Sequence, residues 1–109
     1  MEPIEGNLHN MRENYDSGTL DIHGVYPSAM QQFAFWFEVA GKAGIEEPNA
    51  MVLSTVDPSN KPTSRVVLLK EFDASGFIFV RNYNSQKGRD LARNPNACVN
   101  FWWSKLERQ

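Results

Sequence analysis

The sequence is poor in cysteine. Cys98 is the single one among 109 residues, so neither a disulfide framework nor a thiolate metal cluster is expected. Its longest apolar runs fall far short of the about 20 residues that span a membrane. The N-terminal segment is polar and mixed in charge, without an apolar signal region. A net charge of −2 does not suggest general affinity for nucleic acid. We therefore predict a cytoplasmic protein whose partners include neither membranes nor nucleic acid.

Side chains that usually carry catalysis or bind metals are also scarce. The two histidines, His9 and His23, lie in the N-terminal segment without the spacing of metal ligands, so we predict no metal site. Cys98 has no flanking His or Lys to activate its thiol, and we expect it to be a small buried residue. No glycine-rich phosphate loop is present in the sequence. The residues by themselves predict no catalytic side chain.

The composition is that of one small globular domain, with 41% apolar and 22% charged residues. Residues 1–25 show little periodicity and are predicted to form an arm, whereas residues 26–109 are predicted to form the domain. Ser28 is followed three residues later by a glutamine, which is the spacing of a helix-capping box. Apolar residues then recur on one helical face, and Gly41 and Gly44 are expected to end that helix.

Four segments rich in apolar and β-branched residues predict strands over 49–56, 63–72, 77–83 and 96–103. The first two form a hairpin, and a short helix is predicted over residues 85–94. Consecutive strands on short turns predict an antiparallel sheet curled as a barrel, with helices on its outside. Residues 104–109 are expected to form a turn that leads into a fifth strand. With that strand incomplete, we expect Phe101, Trp102 and Trp103 to lack some of their packing partners.

The segment SRVVLLK, residues 64–70, combines a buried-strand pattern with a positive charge at each end. Val66–Leu69 form an unbroken apolar run, which predicts a strand buried on both faces. Arg65 and Lys70 flank this run, and burying a cation without a partner is costly. One interpretation places both cations at solvated strand ends. The other assigns them to a ligand.

Two further cations support a ligand. Arg81 and Lys87 follow the predicted hairpin, and Lys87 falls in the first turn of the helix that Ser85 opens. A helix N-terminus offers a phosphate free N–H groups and the positive end of a dipole. Arg65 would add a planar pair of donors from the neighbouring strand. The residues therefore favour a small phosphorylated ligand, with a solvated basic rim as the alternative.

Several motifs, in a consistent order, resemble the pyridoxine/pyridoxamine 5′-phosphate oxidase family. These motifs are MRENY, EPNAMVLSTVD, KPTSRVVLLKEFD, GFIFVRNYNSQKGRDLARNP and VNFWWSKLERQ. The resemblance implies a mainly β fold with flanking helices, an antiparallel FMN-binding split β-barrel that works as a homodimer. It also implies oxidation of pyridoxamine or pyridoxine 5′-phosphate to pyridoxal 5′-phosphate, with O2 as acceptor and H2O2 as product. The flavin would then perform the redox chemistry, which explains why no catalytic side chain is visible.

The resemblance also assigns roles to individual residues. The positions that match the family's FMN site are Arg65, Val66, Val67, Leu68, Leu69, Lys70, Val80, Arg81, Gln86, Lys87 and Gln109. Among them, Arg65 and Lys87 are expected to bind the FMN phosphate. Lys70 is expected to lie where cofactor and substrate meet and to contact the substrate phosphate. Arg12 and Tyr15 match residues of the arm that cover the substrate.

The sequence departs from the family pattern in that site and in its length. Val80 and Arg81 stand where the family has an aromatic or similar residue and Thr, so a hydroxyl contact is lost. Gln86 replaces an arginine, which leaves a donor without charge. Family members continue well beyond Gln109, so we interpret the chain as a fragment, a truncated isoform or an incomplete gene model. The alternatives to an active oxidase are a truncated non-catalytic isoform and an FMN-binding split-barrel protein without oxidase activity.

Overall fold

The computed structural model of the protein describes residues 20–79 and 86–109, although not the side chains of Gln86 and Lys87. Two helices and four strands follow one another in these ranges: α1 (Ala29–Lys42), β1 (Ala50–Val56), β2 (Pro62–Asp73), β3 (Gly76–Phe79), α2 (Gln86–Arg93) and β4 (Cys98–Asn100). Short 3-10 helices cover Ile22–Gly24 and Ser104–Leu106. None of the helices in these ranges is long and apolar enough to cross a membrane.

Helix α1 begins where the sequence predicts. The Ser28 hydroxyl accepts a hydrogen bond from the backbone N–H of Gln31 at 3.1 Å, which caps the first turn. The end of the helix differs in part from the prediction, because Gly41 lies within α1. Gly44, with a φ of +75°, provides the left-handed residue just after the helix, as expected of a glycine in that place.

The four strands form one antiparallel sheet in the order β3-β2-β1-β4. β1 and β2 form the predicted hairpin, and β4 pairs with residues 52–54 of β1 on its other side. β3 pairs with the second half of β2, from Asp73 opposite Gly76 to Leu69 opposite Phe79. The hairpin is therefore the centre of the sheet, and β3 and β4 are its edges.

The turn between β1 and β2 is built around Asp57. Its carboxylate accepts hydrogen bonds from the backbone N–H groups of Ser59 and Lys61 at 2.9 and 2.8 Å. The bond from Lys61, followed by the bond from the Ser59 hydroxyl, lowers the pKa of Asp57 below its ordinary value. The turn fixes the register of the hairpin, in which Thr55 lies directly opposite Thr63.

The ring of Phe33 on α1 lies between the two edges of the sheet. Its centroid is 4.8 Å from that of Phe77 on β3 and 4.9 Å from that of Phe101, which follows β4. Although β3 and β4 are opposite edges, the Phe77 and Phe101 centroids are only 5.9 Å apart. The sheet is thus curled until its edges approach each other, which confirms the predicted antiparallel split-barrel fold. The buried core residues beside this cluster are Ala40, Met51, Leu69 and Trp103.

The segment after β4 differs from the prediction. Phe101 and Trp103 are only 8% and 3% exposed, so the expectation that they lack packing partners is wrong. Trp103 also donates its Nε1–H to the Pro48 carbonyl at 3.0 Å. Trp102 does point outward and is 52% exposed. Strand pairing stops earlier than predicted, at the end of β4, and after the second 3-10 helix Arg108 forms an isolated bridge with Trp103.

One face of the sheet, here called the outer face, is uncovered in the described part of the chain. Its exposed apolar residues are Val52, Val66, Leu68 and Ile78. Val66 is 69% exposed, whereas Val67 and Leu69 turn to the core on the inner face. The prediction that Val66–Leu69 are buried on both faces is therefore wrong, because no second layer covers the outer face in residues 20–79 and 86–109. For the same reason Cys98 is exposed, and its predicted burial is also wrong.

Candidate functional site

Arg65 does not simply extend into water from the end of a strand. Its side chain is half-buried, and its Nη1 donates to the Leu53 carbonyl at 3.0 Å and to the Thr55 hydroxyl at 2.8 Å. Its Nη2 donates to the Thr63 hydroxyl at 2.6 Å. Hydrogen bonds to both strands of the hairpin thus hold the planar guanidinium in one orientation.

Asp90 on α2 joins this arrangement from the helix side. The residue is 1% exposed, and its Oδ2 accepts hydrogen bonds from the hydroxyls of Thr55 at 3.1 Å and Thr63 at 3.4 Å. We refer to Arg65, Thr55, Thr63 and Asp90 as the Arg65–Asp90 network. The network connects β1, β2 and α2, and it gives its buried polar atoms the partners that such atoms require.

The guanidinium of Arg65 keeps donors to spare. An arginine side chain has five N–H groups, and the bonds to Leu53, Thr55 and Thr63 use both N–H groups of Nη1 and one of Nη2. The Nε–H and the second N–H of Nη2 have no acceptor among the described residues. Two neighbouring N–H groups of this kind match two oxygens of a phosphate or carboxylate. Arg65 is therefore both fixed in place and able to bind an anion.

The backbone of β2 has an edge that β3 leaves uncovered. Leu69 donates its N–H to the Asn49 carbonyl at 2.8 Å, and its carbonyl accepts from Asn49 Nδ2 at 3.0 Å, so both groups point toward β1. Alternation along an antiparallel ladder directs the N–H and C=O of Val66 to the opposite edge. Among the described residues, β3 pairs with β2 only from Leu69 onward. Within the described residues, the backbone groups of Val66 therefore have no strand partner on this edge, and a ligand that lies along β2 would meet them.

Lys70 lies at an irregularity in the pairing of β2 with β3, where the register shifts between Leu69 and Glu71. It is exposed, and it forms no ion pair with the described residues. It lines an open depression of about 470 Å³ beside Phe37 and Phe72. The interpretation of a solvated cation therefore fits Lys70 in the protein alone, and a ligand in the depression would lie within its reach.

Gln109 is placed at the other side of the sheet. It is exposed, and its Oε1 accepts a hydrogen bond of 3.4 Å from Asn100 Nδ2 at the end of β4. It also lines a cavity of about 340 Å³, whose other walls include Phe33, Trp36 and Phe101. β1 lies between β4 and β2, so in one copy of the chain Gln109 belongs to a different part of the sheet from Arg65.

Other predicted site residues cannot be placed. Arg12, Tyr15, Val80 and Arg81 lie outside the described residues, as does Ser85, the predicted start of the second helix. Gln86 and Lys87 form the start of α2, within the segment where the sequence predicts a helix, but their side chains lie outside the described part of the chain. Their roles stay predictions.

Three members of the Arg65–Asp90 network were not predicted from the sequence: Thr55, Thr63 and Asp90. A signal for the two threonines was present, since the five-residue turn of residues 57–61 places them opposite each other with Arg65 on the same face. Asp90 had a weaker signal, because a lone carboxylate on a short helix resembles many solvated ones. Its contact with β1 is a long-range contact that no local pattern contains.

Solved structures share this curled antiparallel sheet, so the chain has the fold of the split β-barrel proteins. PhzG from Burkholderia lata 383, solved in complex with tetrahydrophenazine-1-carboxylic acid, is 26% identical with a TM-score of 0.75; the match covers 80% of this chain and 44% of that one. A pyridoxamine 5′-phosphate oxidase-related, FMN-binding protein from Nostoc punctiforme is 14% identical with a TM-score of 0.61, covering 74% and 42% of the two chains, and supports the fold alone.

Sequence comparison identifies the family. Residues 37–109 match the family described as pyridoxamine 5′-phosphate oxidase. The chain is 49% identical over 102 residues to a pyridoxine/pyridoxamine 5′-phosphate oxidase from Burkholderia mallei (strain SAVP1) and 48% identical to one from Burkholderia thailandensis. Each match covers 94% of this chain and 48% of the relative, so the chain spans about half the length of these curated relatives. The chain belongs to the pyridoxamine 5′-phosphate oxidase family.

Proposed function

We propose that the chain binds FMN and serves the oxidation of pyridoxamine or pyridoxine 5′-phosphate to pyridoxal 5′-phosphate, with O2 as the electron acceptor and H2O2 as product. The observation that carries this proposal is Arg65, whose guanidinium is held by three hydrogen bonds and keeps two donors that have no acceptor among the described residues. The names of the curated relatives support the substrate class. The match of residues 37–109 to the pyridoxamine 5′-phosphate oxidase family, whose FMN-binding barrel the sequence resembles, supports the cofactor.

The residues that the structure describes fit FMN. The N–H groups of Arg65 that have no acceptor among the described residues suit two oxygens of its phosphate, and Lys87 lies in the first turn of α2, the helix that the Arg65–Asp90 network joins to β2. Lys87, Gln86, Val80, Arg81 and Gln109 are proposed for the remaining contacts to the cofactor. Bound FMN would supply the two-electron redox chemistry.

β2 then serves as a support for the cofactor along its length. Arg65 and Lys70 are five residues apart, which corresponds to about 17 Å along an extended strand. The two cations therefore cannot hold the same phosphate. We propose that Arg65 binds the cofactor phosphate, that the backbone from Val66 to Leu69 lies along the cofactor, and that Lys70 binds the substrate phosphate.

Arg12 and Tyr15 are proposed to cover the substrate, as their match to the family arm implies. The exposed outer face, with Val66 69% exposed, is suited to cover by a second copy of the chain, so a homodimer is proposed. Burying apolar surface of this kind stabilises association by about 25 cal/mol per Å².

Flavin titration tests the phosphate site. FMN and riboflavin differ only in the phosphate, so the ratio of their dissociation constants isolates its contribution. Arg65→Ala should weaken the binding of FMN by about 1.5–3 kcal/mol, the range of a hydrogen bond to a charged group, and leave the binding of riboflavin nearly unchanged. Arg93→Ala, which removes an exposed cation from the last turn of α2, is the matched control and should change neither constant. Equal affinities of the unmodified protein for FMN and riboflavin would refute the phosphate site.

A protein that binds FMN without oxidase activity is the second candidate. It is favoured by Lys70, which is exposed and forms no ion pair with the described residues, as expected of a solvated cation that binds no substrate. Peroxide release on addition of pyridoxamine 5′-phosphate to the FMN-loaded protein would support the oxidase. FMN binding without peroxide release would support the second candidate.

A further inference from the structure

Asp90 occupies an unusual position for a carboxylate on a short helix. It is 1% exposed and is one of the most deeply buried side chains described, together with Thr55. Burying a carboxylate is costly unless hydrogen bonds compensate for the lost water. The Asp90 Oδ2 accepts hydrogen bonds from the hydroxyls of Thr55 and Thr63, and both of these hydroxyls also accept hydrogen bonds from Arg65.

The chemistry of the four groups fixes the direction of every hydrogen bond in the network. The guanidinium of Arg65 can only donate, and an ionised carboxylate can only accept. Each threonine hydroxyl has one proton, so a hydroxyl that accepts from Arg65 must donate its proton to Asp90. Asp90 thereby sets the rotamer in which both hydroxyls offer their lone pairs to the guanidinium. Without that acceptor, the hydroxyls would be free to rotate and to compete for other partners.

Asp90 also connects the two elements that carry the proposed phosphate ligands. It lies three residues after Lys87 on α2, while Arg65 lies on β2. The Arg65–Asp90 network is therefore a direct link between the helix and the strand. A change in this link would alter both the orientation of the Arg65 guanidinium and the distance from β2 to the first turn of α2.

We propose that Asp90 is a positioning residue for the FMN phosphate site: acting through Thr55 and Thr63, it orients Arg65 and fixes the first turn of α2 against β2. This inference rests on the proposed function, because it concerns the same phosphate. It goes further in assigning a role to a residue that does not itself touch the cofactor. An anionic residue thus strengthens the binding of an anion by holding the cation that receives it.

The test compares FMN with riboflavin in variants that alter the network by small steps. Asp90→Asn keeps the shape and an acceptor oxygen but removes the charge. Thr63→Val removes one bridging hydroxyl at nearly constant volume. Glu38→Gln, at an exposed ion pair of α1, is the control that removes the same charge elsewhere. Thermal unfolding of each variant is measured alongside, since a merely structural Asp90 would change stability without changing the preference for FMN.

We expect Asp90→Asn to lower the preference for FMN over riboflavin by about tenfold, as the loss of a hydrogen bond to a charged group allows. Thr63→Val should lower it in the same direction, and the double variant should lose less than the sum of the two in free energy, because both act through Arg65. Glu38→Gln should retain the full preference. An unchanged preference in Asp90→Asn, with FMN still preferred by the unmodified protein, would overturn this inference and leave the proposed function intact.

A second readout follows Arg65 without any flavin. Side-chain ¹⁵N spectra should show slow rotation of the Arg65 guanidinium, with separate Nη1 and Nη2 signals that are absent in Arg65→Lys. In Asp90→Ala the guanidinium should rotate faster, so that the two signals merge. If the alanine variant does not fold, the same measurement is made on Asp90→Asn. Separate Nη signals in the folded Asp90 variant would overturn the inference. If the unmodified protein does not prefer FMN, the proposed function itself is refuted.

Discussion

The curl of the sheet should depend on Phe33 more than on any other ring of α1. Five ring centroids lie within 6 Å of its own, those of Phe37, Phe72, Phe77, Phe101 and Trp103. Replacing a core phenylalanine by alanine costs about 3–5 kcal/mol. Phe33 is half-buried and borders an open cavity that water can enter, so we expect Phe33→Ala to lie near the lower end, at about 3 kcal/mol.

The control for this prediction lies two residues away on the same helix. Phe35 is 45% exposed and contacts the ring of Tyr26 at 5.4 Å, so Phe35→Ala should cost less than about 1 kcal/mol. Urea unfolding followed by tryptophan fluorescence measures both variants. Domains of this size are stable by about 5–15 kcal/mol, so the difference is easily resolved. Equal losses in the two variants would refute the view that Phe33 holds the two edges of the sheet together.

The Asp57 turn, the outer face and Lys70 each lead to a measurable expectation. The hydrogen bonds that lower the pKa of Asp57 stabilise the protein above the ordinary pKa of 3.8 and are lost as the pH falls through the lower pKa of the folded state. Stability should therefore decrease in that acidic range. Thermal unfolding as a function of pH should show a smaller decrease in Asp57→Asn. Val66→Thr should raise the monomer fraction in sedimentation experiments, because Val66 lies on the uncovered outer face; Ile22→Thr, at an apolar residue 83% exposed but outside the sheet, is the control that should not. Lys70→Ala should raise the KM for pyridoxamine 5′-phosphate in peroxide assays and weaken FMN less than Arg65→Ala does; a larger effect on FMN than on KM would contradict the assignment of Lys70 to the substrate.

Local patterns were sufficient for the parts of the fold that local interactions determine. The cap at Ser28 and the turn around Asp57 depend on side chains that bond to backbone a few residues away, and both are found where the sequence predicts them. The positions of β1 and β2 were also predicted, because the apolar and β-branched residues that form them are contiguous in the sequence. Strand ends were less accurate: β4 stops at Asn100, although the apolar and aromatic residues continue.

Burial and side-chain partners were harder to predict because they depend on distant parts of the chain. An apolar run such as Val66–Leu69 indicates that both faces can be covered, and it cannot specify what covers them. Cys98 was misjudged for the same reason. Arg65 was identified as a candidate ligand residue, but its partners come from β1 and its network extends to α2, and no pattern within β2 contains that information.

The turn of residues 57–61 has a consequence for how much variation this part of the chain tolerates. Side chains alternate between the faces of a strand, so an insertion of one residue in the turn that shifted the pairing would exchange the faces of β2. Thr63 would then leave Asp90, and Arg65 would move to the outer face, although neither residue had changed. Substitutions at exposed Pro58 should be tolerated far better than any change in the number of residues. Among homologous proteins, we therefore expect the length of this turn to vary less than its sequence.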